Sequence, residues 1–273
     1  MNPDLQRTLR DLAPPVALRL YRRLFLPRSF SRPFASWEEA RRASSGYDAD
    51  VIVERVLDAT LKVKRGEALF ERDSVLFDRA AHSWPLLAGL LWVAAQRGGR
   101  LSVADFGGSL GSLWFQYRAF LSALPEVRWN VIEQPKFVEP GRRLVQDDHL
   151  RFHFDLAGCL AEGACDVLLL SGVLPYLEAP HDFLREAAGL GFPFILIDRT
   201  PCLDQGEDRL TVQRVPPEVY PASYPAWFLD AGKLVASLAQ RYELVEAFDS
   251  FEAWDLGDVQ SQARGFIFRQ RAG

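Results

Sequence analysis

Three carboxylates recur at the ends of apolar runs: Asp105 after LSVA, Glu133 after WNVI and Asp155 after RFHF. Between the first two lies a glycine-rich turn, Gly107-Gly108-Ser109-Leu110-Gly111, followed by LWFQYRAFLSAL, which reads as a helix. A strand, a tight glycine turn and a helix N-terminus together expose backbone N–H groups, and this is the usual cradle for a nucleotide-like ligand. Carboxylates at successive strand ends would converge on one crevice by topology.

Three chemistries use turns of this kind. The stretch Gly107-Gly108-Ser109-Leu110-Gly111 matches the G-x-S-x-G nucleophile elbow, which would make Ser109 the nucleophile of a serine hydrolase. That chemistry needs an acid and then a histidine after the serine, yet the last histidine is His181, before the fifth strand. A dinucleotide site needs G-x-G-x-x-G, and the corresponding positions read Gly107, Ser109 and Ser112. Asp105 would also sit awkwardly beside a pyrophosphate. An S-adenosylmethionine (SAM) site tolerates such an acid, which can accept from the ligand's ammonium, directly or through water, and offset its sulfonium charge. On that reading the turn 107–111 runs along the methionine part. Glu133, with Gln134 beside it, accepts the ribose hydroxyls, and Phe154 and Asp155 meet the adenine. Ser171 and Gly172, after the apolar run CDVLLL, flank the methyl group.

Methyl transfer needs alignment of a nucleophile and, where required, removal of its proton. The candidate catalytic groups are Asp198, Tyr176 and His181. Arg199 could bind a carboxylate or phosphate. Gln213, Tyr220, Tyr224 and Trp227 lie in a Pro/Tyr-rich loop, 215–227, suited to stacking on a sugar or another flat face. Tyr47, Arg72 and Asp73 are candidates for a lid. No metal is expected. The three cysteines form no C-x-x-C pair and stand near no histidine cluster.

The elements that must position these groups follow from periodicity. Ser36 and Glu39 form a capping-box helix start, and Asp50 caps a helical pattern over 51–64 that ends at Gly66. An apolar helix is expected over 79–97, and FERDSVLFD reads as a loop or short turn. Roughly the first 100 residues are therefore helical before any strand. Strands are expected at 101–105, 128–133, 151–155, 166–170 and 193–198, with helices at 113–124, 137–146 and 180–190 and a looser segment at 158–162. A helix over 229–240 and strands at 242–248 and 265–269 close the chain. Apolar strands alternating with helices imply a mostly parallel sheet covered on both faces. Five βα units plus a terminal antiparallel pair make the seven strands of the Rossmann-like class I methyltransferase fold. The domain division is 1–98, a helical extension and lid, and 99–273, the SAM-binding domain.

The 273 residues are 48% hydrophobic and 25% charged, with net charge −4, which suits a soluble globular chain and argues against nucleic acid as the main partner. The first 45 residues carry nine Arg against four acids, so 9–28 could make weak peripheral membrane contact. The longest apolar run, 84–95, is about half a membrane span. No secretory leader is visible, and cysteine usage suits a reducing compartment, so a cytoplasmic location is expected.

The runs DFGGSLGS, WNVIEQ, LLLSGVLPYL, IDRTP and TVQRVPPEVYPASYPAW, with SWEEA, SSGYD and FERDSVLFD upstream, resemble a family of bacterial SAM-dependent methyltransferases. Members of that family are often encoded near surface-polysaccharide genes. The resemblance covers about residues 36–268, and GGSLG is the family's own form of the turn. It implies the class I fold and SAM as cofactor and does not settle a substrate. With the three acids and the glycine turn, it motivates the expectation of O-methylation of a small or carrier-linked acceptor such as a saccharide, in polysaccharide biosynthesis. The alternative functions are a catalytically inactive SAM-fold binding or scaffold protein, and the serine hydrolase using Ser109.

Overall fold

The computed structural model describes residues 29–45, 49–72, 74–77, 82–204, 206–215 and 222–272. In chain order, α1 (Trp37–Arg42) is capped by Ser36, whose side chain accepts from the Glu39 N–H. Then come α2 (Ala49–Lys64), a two-stranded hairpin β1 (Phe70–Arg72) and β2 (Val75–Phe77), and α3 (Trp84–Gln96). The sheet begins with β3 (Arg100–Phe106), followed by α4 (Ser112–Leu121) and β4 (Glu126–Ile132). Next are α5 (Pro135–Pro140), which runs on into a π turn, β5 (Leu150–His153), α6 (Leu156–Glu162) and β6 (Val167–Ser171). The chain continues through α7 (Pro180–Ala188), β7 (Phe194–Leu203), β8 (Arg209–Arg214) and β9 (Ser223–Asp230). It ends with α8 (Ala231–Leu238), β10 (Tyr242–Asp255) and β11 (Gln260–Gln270).

The sheet order is β10-β11-β7-β6-β3-β4-β5. Pairs from β7 through β5 are parallel, and β11 lies antiparallel to both β7 and β10. Numbered along the chain, these seven strands lie in the order third, second, first, fourth, fifth, seventh, sixth. That is the strand order of the Rossmann-like class I methyltransferase fold. Side chains alternate between the faces. Val103, Trp129, Val131 and Leu169 join one core with α2, α3, α4 and α5, while Ala104, Ile132, Leu168 and Leu170 join another with α6, α7 and α8. Burial of Leu86, Leu90 and Val93 holds α3 against the sheet, each contributing about 1.5–3 kcal/mol. The order reverses between β3 and β6, so the crevice for a ligand opens at their C-terminal ends.

Three features depart from the sequence expectation. The FERDSVLFD segment forms a hairpin, so a strand pair precedes the Rossmann-like part. The apolar helix begins at Trp84 rather than 79, where Ser83 is its N-cap. The main sheet also has two strands more than seven. Within the expected loop, β9 pairs with β8 through Thr211↔Ala226 and Val212↔Pro225, and pairs in parallel with the end of β7 through Cys202↔Leu229. Proline is tolerated there because its missing N–H can face away from a neighbour. Residues Phe30 to Phe34 run along β8, with Ser31 N–H donating to Val212 O and Phe34 N–H to Leu210 O.

Candidate functional site

The glycine turn is shaped by what lies beneath it. Gly107 and Gly111 have φ of +74° and +87°, and Ser109 adopts +56°, a conformation that disfavours most side chains. A Cβ on Gly107 would fall 2.5 Å from Val173 Cγ2, and one on Gly108 would fall 2.5 Å from the Asp105 carboxylate. The two glycines thus let the turn descend onto Val173 and Asp105. Asp105 itself is only 1% exposed, and its Oδ2 accepts from Trp129 Nε1 at 2.9 Å. Burial pushes its carboxyl up to about 7, the Trp129 hydrogen bond opposes this, and the neighbouring Glu133 charge adds to it. The carboxylate is therefore enclosed below the turn, where it supports the backbone that faces the crevice.

Glu133 stands at the end of β4 with both oxygens engaged. Oε1 accepts from Ser109 N at 3.2 Å, and Oε2 accepts from Gln134 N at 2.9 Å. Burial raises its pKa, and the two backbone donors oppose the rise. At the next strand end, Phe154 is 47% exposed with the Arg142 guanidinium 4.6 Å from its ring centre. Asp155 caps α6, its Oδ1 accepting from Gly158 N at 2.6 Å. At the end of β6, Ser171 Oγ is buried without a hydrogen-bond partner, and Gly172 (φ +69°) donates its N–H to Asp198 O. The structure therefore brings the turn 107–111, Glu133, Gln134, Phe154, Asp155, Ser171 and Gly172 to one edge of the sheet. It encloses Asp105 below them.

Beside this edge is a narrow cleft of about 10 Å³, room for about one water or one hydroxyl, whose lining includes Arg72, Gln116, Tyr117, Asp198, Arg199 and Glu252. Asp198 ends the stretch of β7 that pairs with β6 and is 1% exposed. Its Oδ1 accepts from Ser250 Oγ at 2.8 Å, while Oδ2 is buried without a partner. Burial raises the Asp198 pKa against the Ser250 hydrogen bond and the Arg199 charge. Arg199 is held at φ +53°. Glu252 Oε1 lies 3.4 Å from Arg199 Nε and 3.6 Å from Arg72 Nη1. The β1–β2 hairpin carries Arg72 to the cleft. It is fixed by the buried Glu71, which accepts from Ser112 Oγ at the start of α4 and from Ser74 N. A wider depression of about 740 Å³ lies elsewhere, between Gln96, Pro193, Glu243 and Arg269. Those residues include the N-terminal end of β7, away from the glycine turn.

Among the other expected site residues, Tyr176, Gln213 and Tyr224 come together. The Tyr176 hydroxyl donates to Gln213 Oε1 at 2.8 Å, and its ring meets Tyr224 edge-on at 5.2 Å. Trp227 stacks on Trp37 and donates to Leu177 O. His181 does not line the cleft: Nδ1 contacts Ser237 Oγ at 3.0 Å and Nε2 contacts Asp208 Oδ2 at 2.9 Å. Nδ1 thus ties α7 to α8 and Nε2 ties it to Asp208 just ahead of β8, so the ring stands away from the cleft in which it was expected as a base. Tyr220, Tyr47, Asp73 and the segment 9–28 lie outside the described residues.

The hydrolase reading is also corrected. His149 binds Val127 O, His153 binds Asn130 and His181 binds Asp208, while His82 packs among Trp84, Tyr117 and Phe120. Among the described residues no histidine is hydrogen-bonded to Ser109, which serves the turn through its backbone. Among the described residues, no three His, Cys, Asp or Glu side chains group to hold a metal ion, and no helix is long and apolar enough to cross a membrane.

Sequence reasoning missed Glu71, Ser83, Gln116, Tyr117, Ser250 and Glu252. The hairpin had a usable signal, two short apolar-ended triplets around Asp73-Ser74. Ser250 and Glu252 lie in a strand extension whose alternation is broken.

No family model matches the sequence, and no curated protein matches it. The chain is similar to several solved structures. One is magnesium protoporphyrin IX methyltransferase from Synechocystis with bound S-adenosylhomocysteine (SAH): 13% identity, 83% of this chain, 100% of that chain, TM-score 0.48. Another is N-methyltransferase NodS from Bradyrhizobium japonicum in complex with SAH: 15% identity, 79% and 100% covered, TM-score 0.45. A third is 1,6-didemethyltoxoflavin-N1-methyltransferase from Burkholderia thailandensis: 15% identity, 91% and 98% covered, TM-score 0.43. The fold assignment rests on the strand order itself.

Proposed function

We propose that this chain is a SAM-dependent methyltransferase acting on a hydroxyl of a small or carrier-linked acceptor, such as a saccharide. The observation that carries the reading is the meeting of the ends of β3, β4 and β5 at one edge of the sheet, beginning where its order reverses. The turn over Asp105 faces Glu133, which faces the exposed Phe154 and Asp155. The donor set suits the cofactor. Glu133 can exchange its bonds to the Ser109 and Gln134 N–H groups for two ribose hydroxyls. Phe154 offers an open ring face for the adenine, and Asp155 an acceptor for its amino group. The turn backbone suits the methionine part, and the unpartnered Ser171 Oγ, with Gly172, stands beside the expected methyl position.

Bound there, the cofactor supplies a methyl group already activated on a sulfonium centre. The chain's own residues hold the acceptor and handle its proton. Asp198 Oδ2 is the acceptor for a hydroxyl proton, and Arg199 orients an anionic group. Tyr176, Gln213, Tyr224 and Trp227 supply a wall beside the cleft. Residues 1–98 act as an extension and lid, consistent with Glu71 and Arg72 reaching the N-terminus of α4 and the cleft. The buried free thiols Cys159, Cys165 and Cys202 fit a reducing cytoplasm. A role in surface-polysaccharide biosynthesis rests on the sequence resemblance alone.

Titration calorimetry with SAM and SAH tests the reading. Binding of both, with release of SAH in the presence of an acceptor, is expected. No binding of either refutes it. Tight binding without turnover on any hydroxylated acceptor selects the inactive binding protein instead.

A further inference from the structure

The cleft at the end of β7 holds a carboxylate of the protein between two guanidinium groups. The β10–β11 register runs from Asp249↔Arg264 to Ala253↔Gln262, so the three intervening β10 residues face a single one on β11 and 250–252 leave the ladder. Each residue of this bulge has its own direction. Ser250 turns in and donates to Asp198, Phe251 is 77% exposed, and Glu252 turns in between Arg72 and Arg199. Bulges re-aim side chains in this way and are common beside active sites.

Three further facts point to a ligand. Glu252 stands 3.4 and 3.6 Å from its partners, longer than the roughly 2.7–2.9 Å of a close charge-assisted hydrogen bond, so it is a loosely held occupant. Arg199 is kept in a left-handed backbone conformation, a strain that persists where the surroundings impose it and that clusters at ligand clamps. Asp198, 1% exposed, presents an unpartnered Oδ2 in the same cleft. A buried acceptor without a donor calls for one from a ligand or water.

Resting on the methyltransferase reading, we propose that this cleft is the acceptor site and that it takes a hydroxylated carboxylate of the uronate type. The ligand's carboxylate displaces Glu252 from between Arg72 and Arg199, and one of its hydroxyls donates to Asp198 Oδ2. The exposed Phe251 ring covers the apolar face of the ligand. A monoanion exchanges for the Glu252 carboxylate with no change of charge between the guanidiniums, whereas a phosphate dianion would add one.

The test is calorimetric titration of D-glucuronate, D-glucose and D-glucose 6-phosphate into the full chain, with and without saturating SAH. Glucuronate binds at least about tenfold more tightly than glucose, the difference made by one charged hydrogen-bonded contact. Glu252→Gln removes the resident competitor and tightens glucuronate binding about threefold. Arg199→Met weakens it about tenfold and leaves SAH affinity unchanged, which also reports that the variant is folded. Equal binding of glucuronate and glucose, or wild-type glucuronate affinity in Arg199→Met, overturns the proposal. Preference for glucose 6-phosphate overturns the choice of carboxylate. SAH binding without glucuronate preference sinks only this inference. Glucuronate preference without SAH binding sinks the cofactor reading and leaves the anion site standing.

Discussion

Replacing Asp105 by Asn should change the pH dependence of stability more than stability itself. In the folded chain burial raises the carboxyl from its ordinary 3.8 to about 7. Between those values the unfolded chain has lost the proton while the folded chain keeps it. Wild-type stability therefore falls as pH rises from 3.8 to about 7 and is level above, so far as this group is concerned. The interval corresponds to about 4 kcal/mol. Asn cannot ionise, and its Oδ1 can still accept from Trp129 Nε1. Its amide N–H groups need partners under the turn, which costs about 1–3 kcal/mol at every pH. The difference in stability, variant minus wild type, should thus rise by about 3 kcal/mol between pH 4.5 and 8.5, whatever its starting value. Urea unfolding of both chains without added ligand, at four or five pH values, measures it. A difference that stays constant across pH would refute the enclosed carboxylate and with it the supporting role given to Asp105.

The remaining expectations concern the rest of the edge. Glu133→Gln should weaken SAH binding about tenfold or more by calorimetry; unchanged affinity would remove Glu133 from the cofactor site. Ser109→Gly relieves a non-glycine residue at φ +56° and should raise the unfolding free energy from urea titration by at most about 1 kcal/mol, while keeping SAH affinity. A fluorophosphonate probe should leave wild-type Ser109 unlabelled. Asp198 works as an acceptor only when ionised, and its pKa lies above the usual carboxylate range because it is buried. Turnover should therefore fall as pH drops through that raised value. Asp198→Asn should be slow and should lack the acid limb in a pH–rate profile. A limb retained in the variant would assign the proton to another group.

Much of this architecture was legible because the central strands are doubly apolar. Runs such as VLLL and FILI have no solvent face, so they could only be inner strands between helices. The glycine turn and the acids at the strand ends followed from the same alternation. What the sequence did not reveal has specific causes. The three-residue strands β1 and β2 are too short to show a period. Pro225 and its tyrosine neighbours disguised β9 as a loop, and its contact with the loop after β6, where Tyr176 meets Gln213 and Tyr224, had no sequence signal. Asp105 was visible as a strand-end acid, but its enclosure beneath Gly108 depends on a Cβ being absent three residues on. The Arg72, Arg199 and Glu252 cluster joins residues 180 positions apart in the sequence, and no spacing rule spans that distance.

A crystal structure of the full chain with SAH tests the central claim most directly. The account places the ribose on Glu133, whose bond to Ser109 N then breaks, the adenine against Phe154, and the sulfur toward Ser171 and Gly172. A ligand bound elsewhere, such as the depression between Gln96 and Arg269, with Glu133 still held to Ser109, would contradict it.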